Sequence, residues 1–179
     1  DMDDVITIGG FLRLINEYTG SNYIYSDFKS FYMQDIVPDK KDFFKWYVTK
    51  NLYDYCDMAD GCFDALKELN DEYKLFIATS YIFPEISNEC GYILNQKFDY
   101  LSKNLPFLKP EQYVFISDKS ILKAHARVDD RESNLVDGEK KILFSAYHNL
   151  DISNEYLNEK GIERADNWGE VKQKLLRKR

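Results

Sequence analysis

The first 70 residues place apolar side chains at the spacing of amphipathic helices. In FLRLINEYTG (11–20), apolar residues recur at 11, 12, 14, 15 and 18, and the segment ends on a glycine, which is a common helix stop. A Ser/Asp cap signal predicts a second helix in SDFKSFYMQ (26–34). Further helices are predicted in KKDFFKWYVTKNL (40–52), which follows Pro38, and in ADGCFDALKELN (59–70), which has apolar residues at 63, 66 and 69. This part of the chain is therefore predicted to be helical.

From residue 74 onward, short apolar runs alternate with helical segments. The runs with the composition of buried strands are KLFIATS (74–80), YVFISD (113–118), ARVDD (126–130) and KILFSA, which ends at Ala146. A helix is predicted at about 87–104, and NWGEVKQKLLRKR closes the chain as another. Strands that alternate with helices predict an α/β protein with a parallel sheet.

The division of the chain follows from this change of pattern. The helical stretch 9–71 is predicted to be an insertion, and 1–8 together with 72–179 then form the sheet-containing core. A sheet of this kind calls for an apolar strand leading into DMDDVI, and the sequence begins at Asp1 without one. Either this strand is missing from the given sequence or the sheet starts elsewhere, and we expect the first.

Composition narrows the class of protein. With 179 residues, 44% hydrophobic and 16% aromatic, the chain is predicted to fold as one domain with an inserted subdomain. It has no apolar run of 18 residues and no signal peptide, so a soluble, cytoplasmic protein without a membrane partner is expected. The cysteines lack zinc spacing and are predicted to be reduced thiols: Cys56, Cys62 and Cys90.

The net charge of the chain bears on the kind of partner that it can bind. A net charge of −7 argues against a nucleic-acid polymer as partner, although it is compatible with a small anionic ligand that is neutralised locally. The basic residues near the C-terminus are predicted to be the solvated end of the last helix: Lys172, Lys174, Arg177, Lys178 and Arg179.

Polar side chains stand where the predicted strands end. Parallel α/β sheets bind ligands beyond the carboxyl ends of their strands. The groups at such ends are Asp1 and Asp3, Thr79 and Ser80, Lys119, and Asp129 and Asp130. If the strands are neighbours, we expect these groups to converge on one crevice.

Together these residue types can carry out phosphoryl transfer. An aspartate can attack a phosphoryl group and form an aspartyl-phosphate, and a second carboxylate can protonate the leaving alkoxide. Carboxylates are hard ligands for Mg²⁺, and a hydroxyl and a lysine can hold the phosphate oxygens. Taken singly, each group also has a structural explanation: an acidic terminus, a strand-to-loop hydrogen bond, a surface lysine, or a turn or helix cap.

Four short stretches in this order, DMDDV, IATS, SDKS and VDDRESNL, resemble the motifs of the haloacid dehalogenase superfamily of phosphatases. The flanking ADGCFDALKELN, LPFL, and ILFSAYHN followed by NW resemble the 5′(3′)-deoxyribonucleotidase family. The resemblance covers most of the chain and is weakest over 9–58. It implies a Rossmann-like parallel sheet core with a small inserted helical cap.

The resemblance also implies roles for single residues. Asp1 would be the nucleophile, Asp3 the general acid and base, Thr79 and Ser80 phosphate binders, and Lys119 the cation that braces nucleophile and phosphate. Mg²⁺ would be held by the Asp1 carboxylate, the Asp3 backbone carbonyl and Asp130, with Asp129 nearby. Cap residues would surround a nucleobase, with candidates Phe31, Tyr32, Met33 and either Trp46 or Tyr47.

The sequence departs from the family pattern at positions that bear on nucleoside selectivity more than on phosphatase chemistry. Asp4 stands where the family usually has glycine, and Gly9–Gly10 stand where it often has a base-contacting aromatic. The other departures are Tyr81, Ser117 and His125. We expect His125 and His148 to be structural and assign neither a catalytic role.

The hypothesis with the widest support is a Mg²⁺-dependent phosphomonoesterase of nucleoside monophosphates, in particular 5′(3′)-deoxyribonucleotides, that works through an aspartyl-phosphate. One alternative is a phosphatase of another small phosphomonoester such as a sugar phosphate. A second is a non-catalytic binding module on the same fold. The expected ligand is a small phosphomonoester, and a homodimer is left open.

Overall fold

A computed structural model describes residues 1–176, and within that range the chain has six α-helices and seven β-strands. The helices are α1 (Gly10–Thr19), α2 (Lys40–Tyr47), α3 (Cys62–Glu72), α4 (Cys90–Asn104), α5 (Asn154–Glu159) and α6 (Trp168–Leu175). The strands are β1 (Thr7–Ile8), β2 (Asp57–Met58), β3 (Ile77–Thr79), β4 (Tyr113–Phe115), β5 (Ala126–Asp129), β6 (Lys140–Phe144) and β7 (Glu163–Ala165). The predicted basic helix end at Arg177, Lys178 and Arg179 lies outside the described residues.

The parallel sheet predicted from the sequence is confirmed. β3 pairs with β4 in parallel, and β5, β6 and β7 form a second parallel sheet in that order. Each of the four strands predicted from an apolar run is present but shorter than that run. β7 and α5 were not predicted, because Glu163–Ala165 and Asn154–Glu159 carry mostly polar or charged residues with no clear period.

The two ends of the segment between β1 and β2 lie next to each other, because these strands pair. Thr7 pairs with Met58 and Ile8 with Asp57 in an antiparallel pair, so residues 9–56 leave and rejoin the rest of the chain side by side. Inside this segment, Phe11 of α1 contacts Phe43 and Tyr47 of α2, with ring centroids 5.8 Å apart in both pairs. The division into core and cap stays a prediction.

The helix predicted at 26–34 is wrong. The chain there forms two short 3₁₀ turns, Tyr25–Asp27 and Met33–Ile36, separated by residues 28–32, which belong to no helix or strand. The Ser/Asp cap signal suggested a helix, but the rings that follow it lie on different surfaces: Phe28 is buried, whereas Phe31 and Tyr32 are exposed. Tertiary packing of individual rings has overridden the local pattern.

Two further predictions are a strand that leads into Asp1 and the lack of a membrane-spanning helix. The amine of Asp1 donates to the Val128 carbonyl of β5 at 2.7 Å, and a strand leading into Asp1 stays a prediction. None of the helices in residues 1–176 combines the length and apolar character that crossing a bilayer requires.

Candidate active site

Seven of the residues predicted to form a site line one crevice with a volume of about 530 Å³. They come from the N-terminal segment, the turn before α2, and the loops that follow β3, β4 and β5. These residues are Asp1, Asp3, Phe31, Tyr32, Ser80, Lys119 and Asp130. The expected convergence at the carboxyl ends of the strands is therefore present for groups that lie up to 129 positions apart.

The acidic N-terminal segment is held by its own apolar residues. Met2, Val5 and Ile6 are completely buried, and the amides of Ile6 and Thr7 both donate to the Met2 carbonyl, at 2.8 and 2.9 Å. The indole of Trp168 in α6 donates to the Val5 carbonyl at 2.8 Å. Asp1 and Asp3 therefore project from a fixed turn.

Lys119 joins the first aspartate to the end of β5. Its ammonium lies 2.7 Å from Asp1 Oδ2 and 2.7 Å from Asp129 Oδ2, and all three side chains are largely buried. The second oxygen of Asp129 accepts from the Asn134 amide at 2.9 Å. One lysine thus neutralises two carboxylates that would otherwise repel each other.

Asp3 has a different set of partners. Tyr53 donates to Asp3 Oδ1 at 2.9 Å, and the ammonium of Lys97 in α4 contacts Asp3 Oδ2. Lys97 also donates to the hydroxyl of Thr79 at 2.8 Å, and Thr79 is completely buried. Burial lowers the pKa of Lys97, and the nearby Asp3 carboxylate acts in the opposite direction. Lys97 therefore fixes the second aspartate relative to the hydroxyl at the end of β3.

Asp130 is oriented by the segment that follows β6. His148 Nε2 lies 2.7 Å from Asp130 Oδ2, and the Asn149 amide donates to the Asp130 carbonyl at 2.8 Å. Burial and the neighbouring Asp129 charge raise the pKa of Asp130, against the effect of His148. The Asp130 carboxylate thus lies close to another negative charge, and a bound cation would offset the repulsion between them.

Two carboxylates of the crevice and a third beside it form a group that fits a hard divalent cation. Asp1, Asp129 and Asp130 each offer a carboxylate oxygen, and these atoms lie within 4.8 Å of one another. Oxygen donors of this type suit Mg²⁺. Asp130 also belongs to a second group of three, with Asp4 and His148, whose ligand atoms again lie within 4.8 Å of one another. The backbone of Asp4 has φ 54°, in the left-handed region that favours glycine, which matches the glycine usual at this position in the family it resembles.

The predicted cap residues occupy three different surroundings. Phe31 and Tyr32 line the crevice, and the Phe31 carbonyl accepts from the Tyr147 hydroxyl at 2.6 Å. Met33 is buried beside an adjoining cavity of about 120 Å³. Trp46 packs against Tyr18 with ring centroids 5.3 Å apart, Tyr47 is buried among aromatic rings, and neither lines the crevice. Their assignment to substrate binding stays a prediction.

Several residues of the site were not singled out from the sequence. Lys97 and Tyr53 contact Asp3, and His148 and Asn149 hold Asp130. The position of His148 and Asn149 directly after a predicted strand was a signal that could have identified them. Lys97 lies 94 positions from Asp3, on the face of a helix, and no local pattern marks it.

Comparison with known proteins identifies the family of this chain. Residues 1–179 match the model of the family described as 5′ nucleotidase, deoxy (pyrimidine), cytosolic type C protein. Relatives named 5′(3′)-deoxyribonucleotidase occur in Bacillus subtilis (strain 168) and Bacillus phage SPbeta. Each is 30% identical over 152 residues, which is 76% of this chain and 81% of the relative. A Staphylococcus epidermidis relative is 27% identical over 176 residues, 96% of this chain and 91% of its own length.

Proposed function

This chain belongs to the cytosolic type C 5′ nucleotidase family of nucleotide phosphomonoester hydrolases, and on that premise we propose that it is a Mg²⁺-dependent phosphatase of deoxyribonucleoside monophosphates that forms an aspartyl-phosphate. One observation carries this proposal: the Asp1 carboxylate lies 2.7 Å from the Lys119 ammonium on the floor of a crevice large enough for a nucleotide. The cytoplasmic location stays a prediction.

Mg²⁺ would be held by Asp1 and Asp130, together with the Asp3 backbone carbonyl, and Asp129 would lie beside it. When bound, the ion supplies positive charge that offsets the repulsion between the carboxylates and the substrate phosphate. The remaining chemistry belongs to side chains of this chain.

In the first step, an Asp1 carboxylate oxygen attacks phosphorus, and the bond from phosphorus to the nucleoside oxygen breaks. Asp3, in its protonated form, gives its proton to that leaving oxygen, so the nucleoside departs as a neutral alcohol. Lys119 remains against Asp1 and offsets negative charge on the transferred phosphoryl group. The hydroxyl of Ser80, which lines the crevice, is the proposed donor to its other oxygens. Thr79, the other predicted phosphate binder, is completely buried and does not line the crevice, so its proposed part is to hold Lys97.

In the second step, water attacks the phosphorus of the aspartyl-phosphate. Asp3, now a carboxylate, accepts the proton from that water, the bond between Asp1 and phosphorus breaks, and inorganic phosphate leaves. The Tyr53 hydroxyl and the Lys97 ammonium contact the two oxygens of Asp3, and they would keep Asp3 in place for this proton transfer. Asp3 thus returns to its protonated state at the end of the cycle.

The test replaces the nucleophile without changing its shape. Asp1→Asn keeps the side-chain oxygen that accepts from the Met2 amide, at 2.6 Å in the wild type. Phosphate release from a panel of 5′- and 3′-deoxyribonucleotides with Mg²⁺ is expected to fall by about 10³-fold or more. Asp137→Asn, at an exposed aspartate, is the matched control and should retain full activity.

Three results would count against the proposal. Equal rates for wild type and Asp1→Asn would reject Asp1 as the nucleophile. A panel in which deoxyribose 5-phosphate exceeds every nucleotide would favour a small sugar phosphate as substrate. Failure to recover acid-stable, alkali-labile phosphoenzyme after rapid quenching of wild type would argue against the aspartyl-phosphate.

A further inference from the structure

The guanidinium of Arg127 binds backbone carbonyls rather than a carboxylate. Arg127 lies in β5 and is partly buried. Its Nη1 donates to the carbonyls of Lys119 and Asn134, at 3.0 and 3.1 Å, and its Nη2 donates to the carbonyl of Leu122. Its Nε is buried and has no hydrogen-bond partner within residues 1–176. Within that range the side chain therefore connects segments of backbone and forms no ion pair.

The bound carbonyls belong to two turns that hold the carboxylates of the site. The turn Lys119–Ile121 carries the ammonium that lies 2.7 Å from Asp1 Oδ2 and 2.7 Å from Asp129 Oδ2. The turn Glu132–Asn134 carries the amide that donates to Asp129 Oδ1 at 2.9 Å. Arg127 thus joins the two turns whose side chains meet at Asp129.

Little else fixes the backbone of the turn that carries Lys119. Its own hydrogen bonds stay inside the turn, such as the one from the Leu122 amide to the Lys119 carbonyl at 3.2 Å. Ile121 is 70% exposed, so apolar packing does little to hold the turn in place. In the part of the chain that the structure describes, the backbone of 119–122 is therefore joined to the sheet by hydrogen bonds from Arg127.

We infer that Arg127 is a positioning residue: its guanidinium holds the turn Lys119–Ile121 so that the Lys119 ammonium stays against Asp1. The inference rests on the proposed nucleotidase function. Arg127 does not line the crevice, so it acts through Lys119 and does not touch the substrate. A guanidinium presents its N–H groups as a rigid planar fork, which can hold carbonyls of two turns at once, and the single ammonium of a lysine cannot reproduce that geometry.

The experiment compares variants at two linked positions with wild type. Arg127→Met keeps the apolar part of the side chain and removes the carbonyl contacts, and Arg127→Lys keeps the charge without the fork. Lys119→Met and the double variant Arg127→Met/Lys119→Met complete a double-mutant cycle. The control is Arg13→Met, because Arg13 is half exposed, binds the Tyr55 carbonyl and the Asp57 carboxylate, and does not line the crevice.

The measured quantities are kcat, KM and Tm, with Mg²⁺ and the deoxyribonucleotide that wild type hydrolyses fastest, at a temperature at which circular dichroism shows every protein folded. Arg127→Met is expected to lower kcat about 10²-fold, the effect of misplacing a catalytic group by about 1 Å, and to leave KM within about threefold of wild type. Arg127→Lys should recover less than about tenfold of that loss. Arg13→Met should keep the wild-type kcat, whatever its Tm.

The double-mutant cycle shows whether Arg127 acts through Lys119. If it does, removal of Arg127 has no further effect once the Lys119 ammonium is gone, so the double variant should match the kcat of Lys119→Met within about threefold. A side chain that only stabilises the fold would lower kcat by the same factor in both backgrounds. If Arg127→Met does not fold, Arg127→Lys takes its place in the cycle.

The outcomes separate this inference from the proposed function. If wild type hydrolyses nucleotides and Arg127→Met keeps the wild-type kcat, the inference is wrong and the function stands. The inference is also wrong if the two losses multiply in the double variant, or if Arg127→Lys restores full activity, because the charge alone would then be sufficient. If wild type releases no phosphate from any nucleotide, the proposed function fails, and the inference fails with it.

Discussion

Replacing Lys97 with methionine should reduce catalysis while leaving stability intact. Lys97 is 1% exposed and lies in α4, where its ammonium contacts Asp3 and donates to Thr79 at 2.8 Å. Methionine has a similar length and can fill the same space, but it can hold neither partner. The substitution therefore removes two polar contacts at the centre of the site without opening a cavity.

The stability balance follows from how each partner is buried. Two net hydrogen bonds are lost, at about 1 kcal/mol each, and the buried Thr79 hydroxyl keeps only a long contact of 3.4 Å to the Ser80 carbonyl. The Asp3 side chain is 46% exposed, so water can replace its lysine partner. Against this loss stands a gain, because burying an ammonium group costs several kcal/mol and the variant no longer has to do so. We expect stability to change by no more than about 1 kcal/mol.

Activity should respond much more strongly. Without Lys97, the Asp3 carboxylate is held only from the side of Tyr53, and the Thr79 hydroxyl loses its donor. Misplacement of a catalytic group by about 1 Å can cost about 10²-fold. Steady-state phosphate release with Mg²⁺ should therefore show kcat lowered about 10²-fold. Urea unfolding measures the stability, and Lys103→Met, at an exposed position of the same helix, is the control. A kcat within threefold of wild type would refute the positioning role.

Two further predictions test packing and thiol chemistry. Gly10→Ala should destabilise the protein by about 1–3 kcal/mol in urea unfolding, because an added Cβ would overlap Cys56 Sγ and lie 3.0 Å from Leu52. Gly91→Ala is the control: Gly91 lies in a helix with open space around it, so the substitution should be neutral or stabilising. Burial raises the pKa of Cys56 to about 12, and the other two cysteines are buried. An Ellman assay at pH 8 should therefore label the native thiols slowly and all three at once in denaturant, and rapid native labelling would contradict this.

Most elements could be predicted from the sequence because their periods are simple. The apolar runs that became β3 to β6 and the pattern of α1 and α4 were sufficient to locate them. The short strands β1 and β2 have two residues each, too few to show any period. The segment 26–34 failed for another reason: its rings point to different surfaces, and only the folded chain distinguishes burial of Phe28 from exposure of Tyr32.

Positions in the site could be predicted where a residue follows a strand, since parallel strands bring their carboxyl ends to one edge. Lys119 follows β4 and Asp130 follows β5, and both line the crevice. Asp1 lines it too, although the strand expected before Asp1 stays a prediction. Lys97 follows no strand. Its contact with Asp3 depends on how α4 packs against the N-terminal turn, which is a tertiary relation between residues 94 positions apart.

The different solvent exposure of Asp1 and Asp3 supports different roles for the two aspartates. Each aspartate has its own buried lysine, Lys119 for Asp1 and Lys97 for Asp3. The side chain of Asp1 is 12% exposed and is held from two sides, which suits a nucleophile that must keep one position. The side chain of Asp3 is 46% exposed, so it can exchange protons with water while Lys97 limits its movement. A general acid and base requires that access, because it must take up and release a proton in every cycle. The two aspartates therefore differ in solvent access as their proposed roles require, although they stand two residues apart.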